Sequence, residues 1–368
     1  MNKLIVGNLV HRPLRSVISA FAVAIEVIMI LSVVAIFYGI LNGSRAQTSG
    51  IGGDMIVHPG AASALMNTSS ASADVRVADV LAKLPHVQVV SPVYIKLTAG
   101  TSLETVYGID FNSFNALRAF TFVSGGPFKG PDDLIIDDLQ AAATPHLNVG
   151  DSVKVLNHNF KVCGIVEHGK GSRKFIPLQT MEALDNSPGK ATMFYLRTEE
   201  QPQYQEAIRS EILHTDGLQD WSVQTMQEFL STLTPDHLPG FNIALRVVIS
   251  IATIIGFMVI FQSMYTAVME RTREIGILKS MGAGQLSIVS VVLRETMLLA
   301  SAGIAIGVAA TYMLRAVLHN RFPTLSFAVT TDWVFKAIGI ALLGALLGAF
   351  YPALKAARKD PIDALSYE

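Results

Sequence analysis

The sequence predicts an α-helical membrane domain with four transmembrane helices and a large α+β extracytoplasmic domain between helices 1 and 2. Three observations predict it. Of 368 residues, 51% are hydrophobic and only 15% charged, against about 25% charged in a typical soluble domain, and the mean hydropathy is +0.43. Four stretches reach the roughly 20 apolar residues that a spanning helix needs. Basic residues flank these stretches on one side, the asymmetry that orients membrane helices. The same composition excludes a disordered chain. The net charge of −1 excludes a globally basic nucleic-acid binder. A single cysteine, Cys163, leaves no intramolecular disulfide and no cysteine-cluster metal site.

The elements follow in order. Residues 1–16 form a cytoplasmic N-terminus carrying Lys3, Arg12 and Arg15. The first span, 17–41, is longer than the roughly 7–15 residues of a signal-peptide core and lacks a small-residue cleavage site, so it reads as a retained anchor. Residues 42–240 form the outer domain, 241–268 the second span, and 269–286 a cytoplasmic loop with Arg271, Arg273 and Lys279. The third span is 287–318, followed by a short outer loop, 319–332. The fourth is 333–354, and the cytoplasmic tail 355–368 carries Lys355, Arg358 and Lys359. Both termini are therefore expected in the cytoplasm, in a multi-pass inner-membrane protein.

The outer domain carries 14 Lys and Arg against 21 Asp and Glu, a net charge of −7. That balance disfavours a clamp for nucleic acid or lipid headgroups. About 200 residues suffice to bury a core. Strands are expected at 87–94, 105–109, 134–136, 152–156 and 161–166, and helices at 75–84, 203–213 and 225–233. Gly125-Gly126-Pro127 and Gly130-Pro131 mark loops, and the Ser/Ala-rich run 61–73 reads as a loop.

The cytoplasmic segment Glu270–Ala283, ERTREIGILKSMGA, carries the most chemistry. On a helix Arg271 and Glu274 stand three residues apart and can pair on a solvated face. Ile275, Ile277 and Leu278 offer apolar area, Gly276 permits close approach, and Gly282 and Gly284 end the helix. Residues alone leave two readings open: a docking helix, or an interfacial loop that only joins two spans. Within the spans, Glu26, Arg294 and Glu295 are costly charges. Glu26 and Arg294 fall at similar depths, about 10–15 Å from their cytoplasmic ends, so two readings stand: the two pair and tie span one to span three, or Glu26 is protonated against a polar neighbour. Arg246 and Lys336 sit near outer ends, where they can snorkel. Gly303/Gly307 and Gly344/Gly348 are small-residue packing faces, expected to act within one subunit.

Several classes lack support. Gly164–Gly171 fits G-x-x-x-x-G-K, but Gly171 stands where a phosphate loop needs Ser or Thr, and a strand-like run follows. A basic, glycine-rich hairpin containing Lys170, Arg173 and Lys174 is the plainer reading, with contact to a partner or an anionic ligand as the alternative. The nine histidines are scattered, without metal-ligand spacing, and no nucleophile motif appears. No catalytic or metal residue is assigned.

The ERTREIGILKSMGA loop, the closing stretch Tyr351–Leu365 and the entry segment His11–Ser16 resemble the MacB/FtsX-like ABC transporter permease family, the membrane subunits of the type VII ABC superfamily. The resemblance covers nearly the whole chain, and it is most specific in the two cytoplasmic motifs. It implies a permease subunit whose loop after helix 2 couples to a cytoplasmic ABC ATPase. Carried onto this chain, the contact would comprise Glu270, Arg271, Arg273, Glu274, Ile275, Gly276, Leu278, Lys279 and Gly282. It further implies a non-catalytic chain with ATP and Mg on the partner, a second permease copy or paralogue, and transmission of ATP-driven movement to the outer domain. A membrane-fusion adaptor is a partner that it allows. Export or extraction of a substrate, FtsX-like control of an outer-side hydrolase, and lipoprotein release all remain open.

Overall fold

The computed structural model describes residues 13–60, 62–63, 68–69, 71–99, 103–143, 145–199, 202–234 and 240–358. The flanking charges Lys3, Arg12 and Lys359 and the end of the closing motif, Asp360–Leu365, lie outside the described residues. The chain divides into two compact units: Met1–Gly39, Gly240–Leu318 and Phe327–Glu368 in one, Ile40–Pro239 and His319–Ser326 in the other.

Helix α1 (Pro13–Ser49) runs eight residues past the expected end of the first span, so its last turns belong to the outer unit. That unit continues with β1 (Met55–Pro59), β2 (Ala62–Ser63), β3 (Thr68–Ser69), β4 (Ala73–Asp74), α2 (Val77–Leu81), β5 (Val87–Ala99), β6 (Leu103–Ile109), α3 (Phe111–Leu117) and β7 (Phe122–Gly125). Next come β8 (Asp133–Asp137), α4 (Asp138–Ala142), β9 (Ser152–Val155), β10 (His158–Val166), β11 (Lys174–Pro177), α5 (Leu178–Leu184), β12 (Lys190–Ala191), β13 (Met193–Thr198), α6 (Pro202–His214), β14 (Trp221–Thr225) and α7 (Met226–Thr232). The expected α+β class holds. The expected loop at 61–73 contains the short β2–β3 pair, with 61, 64–67 and 70 outside the described residues. The expected helix 75–84 contracts to Val77–Leu81.

Ten strands form one mixed sheet, ordered β14-β1-β13-β5-β6-β11-β8-β10-β7, with β9 beside β10. The β6–β11 and β8–β10 pairs are parallel. Period-two alternation sends successive side chains to opposite faces. Ile56, Tyr107 and Tyr195 enter one apolar cluster, with Phe114, Phe120 and Phe175. Met55, Val57, Phe194 and Leu196 enter a second cluster with Ile208 and Ile212 of α6. Both faces are covered, so β1 and β13 read as unbroken apolar runs and escape an alternation search. Helix starts follow local chemistry: Asp110 caps α3 through the Ser113 amide at 2.9 Å. Thr225 and Glu228 form a reciprocal capping box on α7.

The membrane unit adds α8 (Phe241–Glu270), α9 (Thr272–Ser280), α10 (Gln285–Arg321) and α11 (Thr331–Arg358). Four of its helices, α1, α8, α10 and α11, are long and apolar enough to cross a membrane. The expected 269–286 loop holds the separate helix α9, and the outer loop narrows to 322–330. Small residues set the packing. A Cβ on Gly303 would stand 2.4 Å from the Ala20 carbonyl oxygen, and one on Gly307 2.9 Å from that of Ala24, so α10 lies directly on α1. A Cβ on Gly348 would stand 3.0 Å from the Phe257 carbonyl oxygen, and Ala341, Ala345, Ala349 and Ala353 of α11 are fully buried. Both glycine pairs therefore pack inside the subunit, as expected. Lys336 pairs with Asp332 at 2.6 Å and lies over the Trp333 ring, and Arg246 is exposed.

The expected Glu26–Arg294 pair does not form. Glu26 is 3% exposed and neither carboxyl oxygen has a hydrogen-bond partner. Its carboxyl occupies the space over Gly256, where a Cβ would stand 2.0 Å from Oε2. Arg294 is exposed, because one helical step of about 100° separates it from the buried Glu295. An unmet buried polar group costs about 1–3 kcal/mol. Glu26→Met, of similar length and volume, is therefore expected to raise the melting temperature of the full-length protein in detergent, and Glu26→Gln to leave it unchanged. A lower value for the methionine variant would show that the carboxyl has a stabilising partner.

Candidate functional site

The chain breaks between α8 and α9 at Arg271, which has φ −102° and ψ 16°. Thr272, 4% exposed, donates its hydroxyl to the Met269 carbonyl at 2.8 Å and holds the two helices at a fixed bend. At the other end, the Ala283 amide bonds the Leu278 carbonyl and the Gly282 amide bonds the Lys279 carbonyl, both at 3.0 Å. This is a Schellman turn, and it requires Gly282 to hold φ +96°. Helix α9 is thus a discrete nine-residue element with both ends defined.

Its inner face is anchored. The Arg271 guanidinium donates through Nη1 to both carboxylate oxygens of Glu295 on α10, at 2.9 and 3.1 Å, with the two side chains only 13% and 10% exposed. The expected Arg271–Glu274 pair on the solvated face therefore gives way to a tertiary pair. Lys279 Nζ donates to the Ala357 carbonyl at 3.0 Å, meeting an oxygen left open at the end of α11. Ile275 packs against Val268, Ile288, Ala356 and Ala357. Gly276 is buried within the chain, so the close approach it permits is to its own subunit.

The outer face is the exposed one. Glu270, Arg273, Glu274 and Gly282 are exposed, and Leu278 is half-buried. Beside them stand Ile277, Met281 and Leu286 at 44%, 72% and 85% exposure. Met281 and Leu286 do not stand out in the sequence, because a single apolar residue in a polar turn carries no periodic signal. A mainly apolar groove of about 400 Å³ separates α9 from α10, lined by Glu274, Ile277, Leu278, Ile288 and Val291, with Arg271 and Glu295 among its walls. The arrangement offers a rigidly held, amphipathic helix with mixed charge and exposed apolar side chains. It offers no acid–base or nucleophilic constellation, and no metal-ligand group occurs among the described residues.

Two family patterns cover this architecture. The MacB-like periplasmic core domain matches residues 16–211, and the FtsX-like permease C-terminal domain matches residues 246–361, which includes α9 and both of its anchors. The chain belongs to the MacB/FtsX-like ABC transporter permease family. The permease is 25% identical over 379 residues to the macrolide export ATP-binding/permease protein MacB of Azoarcus sp. (strain BH72), covering 96% of this chain and 57% of that protein. It is 24% identical over 234 residues to the uncharacterized ABC transporter permease MJ1507 of Methanocaldococcus jannaschii, covering 60% of this chain and 58% of that one. A MacB from Syntrophobacter fumaroxidans is 33% identical over 153 residues, 40% of this chain and 21% of its own length. The alignments thus span less than two thirds of the length of these relatives. The solved periplasmic region of MacB from Actinobacillus actinomycetemcomitans overlays at TM-score 0.40 and 15% identity, covering 50% of this chain and 94% of that one. The four apolar helices and the family together make the permease a multi-pass membrane protein.

Proposed function

We propose that this permease is the non-catalytic membrane subunit of an ABC transporter, in which α9 docks on a separate cytoplasmic ATPase and passes its ATP-driven movement to the outer domain. The observation that carries the reading is the two-sided character of α9. Its inner face is fixed by the Arg271–Glu295 and Lys279–Ala357 contacts, and its outer face presents Arg273, Glu274, Ile277 and Met281. A helix pinned this way moves as one body with α8 and α10, which suits rigid-body transmission. The mixed charge and apolar area suit a protein partner. On this reading ATP and Mg sit on the ATPase, both termini and α9 face the cytoplasm, and a second permease copy or paralogue completes the assembly in the inner membrane. Export or extraction of a substrate at the outer face is the activity proposed. A membrane-fusion adaptor is a compatible further partner.

The test is co-purification in detergent with the ATPase encoded nearest the gene, comparing wild type with the double charge swap Arg273→Glu/Glu274→Lys. Both side chains are exposed, so the swap is expected to leave the melting temperature unchanged. Recovery of ATPase is expected to fall by about tenfold or more, the effect of disrupting paired interface charges. Unchanged recovery and ATP turnover would remove α9 as the docking element.

A further inference from the structure

The glycine-rich turn Gly169–Arg173 gathers three parts of the outer unit that are far apart in sequence. It links β10 to β11, which lie on either side of β8 in the sheet. The Gly171 amide donates to the Gln47 carbonyl at 2.8 Å, near the end of α1. Gly171 holds φ +85°, and a Cβ there would stand 2.8 Å from the Tyr107 ring and 2.9 Å from Ile51. A Cβ on Gly50 would fall 1.6 Å from the Gly169 carbonyl oxygen, so the turn and the end of α1 are in backbone contact. Lys170 is 8% exposed, donates Nζ to the Arg118 carbonyl and lies 5.3 Å from the Phe120 ring centroid. It anchors the turn inward and is not available to cradle a phosphate.

Arg173 makes the third link. Its Nη1 lies 3.3 Å from Asp137 Oδ2, and its Nη2 donates to the Thr324 carbonyl at 3.1 Å. Thr324 belongs to the loop between α10 and α11. Ser326 of that loop packs against Gly43 of α1, where a Cβ would stand 3.0 Å from its hydroxyl. Asp137, 1% exposed, caps α4 through the Gln140 amide at 2.6 Å and donates its own amide to the Arg173 carbonyl at 3.0 Å. All these residues lie in one compact unit.

We propose that the Gly169–Arg173 turn is the clamp that delivers movement of α1 and of the α10–α11 loop to the sheet of the outer domain, with Arg173 as its positioning residue. The proposal rests on the mechanotransmission reading above. A planar guanidinium fork can hold a carboxylate and a carbonyl together in a fixed geometry. Displacement of the loop is thereby communicated to the end of β8, and displacement of α1 reaches the same turn through Gly171. The carboxylate side also responds to acid. Burial pushes Asp137 up to about 6, against the pull of Arg173; Asp138 adds to the rise and His168 opposes it. Below that value Asp137 is neutral and Arg173 loses its charged partner.

The test uses the full-length permease in lipid nanodiscs with its ATPase, and reads amide exchange of the outer sheet with and without ATP plus vanadate. Asp137→Asn keeps an oxygen to cap α4, and Arg173→Gln removes the fork. In both variants ATP turnover is expected within twofold of wild type, with residues 319–326 exchanging about tenfold faster. The nucleotide-driven change in the sheet is expected to shrink by about fivefold or more, through loss of the element that couples the two ends. Lowering the pH from about 7.5 to about 5.5 should weaken the wild-type response and leave that of Asp137→Asn flat. If wild type responds and both variants respond equally, the clamp is overturned and the mechanotransmission reading stands. If wild type turns over ATP with no change in the outer sheet, that reading falls and the clamp falls with it.

Discussion

Arg271→Ala is expected to destabilise the permease by roughly 3–5 kcal/mol, because it strands the Glu295 carboxylate as an uncompensated charge. The expectation follows from burial. Both side chains are at most 13% exposed and share two hydrogen bonds, whereas an exposed pair would contribute about 0–1 kcal/mol. Glu295→Gln, which keeps shape but removes charge, should lose stability for the mirror reason. The double variant Arg271→Ala/Glu295→Gln should lose clearly less than the sum of the two single losses, which two independent volume changes would not do. Thermal unfolding of the four proteins in one detergent measures the coupling. If the two single variants and the double variant add without interaction, the pair does not hold α9 to α10. If α9 is the docking element proposed above, ATPase recovery should follow the same order, because its inner face is held in place by these anchors.

The second large effect concerns helix packing. A Cβ on Gly303 would lie 2.4 Å from the Ala20 carbonyl oxygen and 2.8 Å from Val23 Cβ, both inside contact distance and both on α1. Gly303→Val must therefore drive α10 away from α1. The expected loss is about 1–3 kcal/mol, typical of overpacking a filled interior. Gly339 on α11 is the matched control, since nothing lies within 4 Å of a Cβ there. Gly339→Ala is expected to be neutral or to stabilise by roughly 0.5–1 kcal/mol, the helical preference of alanine over glycine. Melting temperatures in detergent, and the yield of folded protein in membranes, separate the two. Equal effects at the two positions would show that close α1–α10 contact does not hold the membrane unit together.

Much of this architecture is legible along the chain. The four spans declare themselves because hydropathy accumulates over some 20 consecutive residues, and α1, α8, α10 and α11 begin and end within a few residues of expectation except at the outer end of α1. There the apolar signal stops near residue 41, and the helix continues to Ser49 because the Gly169–Arg173 turn receives its last turns. Helix α7 is legible from its apolar spacing near 3.6, and the Thr225–Glu228 capping box sets where it starts. Strands β1 and β13 are not, because a strand buried on both faces loses its alternation. In the candidate site, Arg273, Glu274 and Gly282 stand out from their own neighbours. Their division into an anchored and an open face does not, since Arg271 finds its partner 24 residues away.

The membrane class, the four apolar spans, the acidic α+β outer domain and the family motif on α9 can all be read along the chain. These rest on signals that sum over neighbouring residues: hydropathy, charge flanks, caps and glycine turns. Packing in three dimensions sets the rest: Glu295 receives Arg271 while Glu26 stands over Gly256, Gly276 faces its own subunit, and the decoy phosphate loop joins α1 and the α10–α11 loop to the sheet. The physical reason is common to all of them. Which face of a helix meets which neighbour is set by small-residue contacts such as Gly303 on Ala20, and one helical step moves a charge from a buried face to an exposed one. That choice belongs to all the helices packing together, and no single segment carries it.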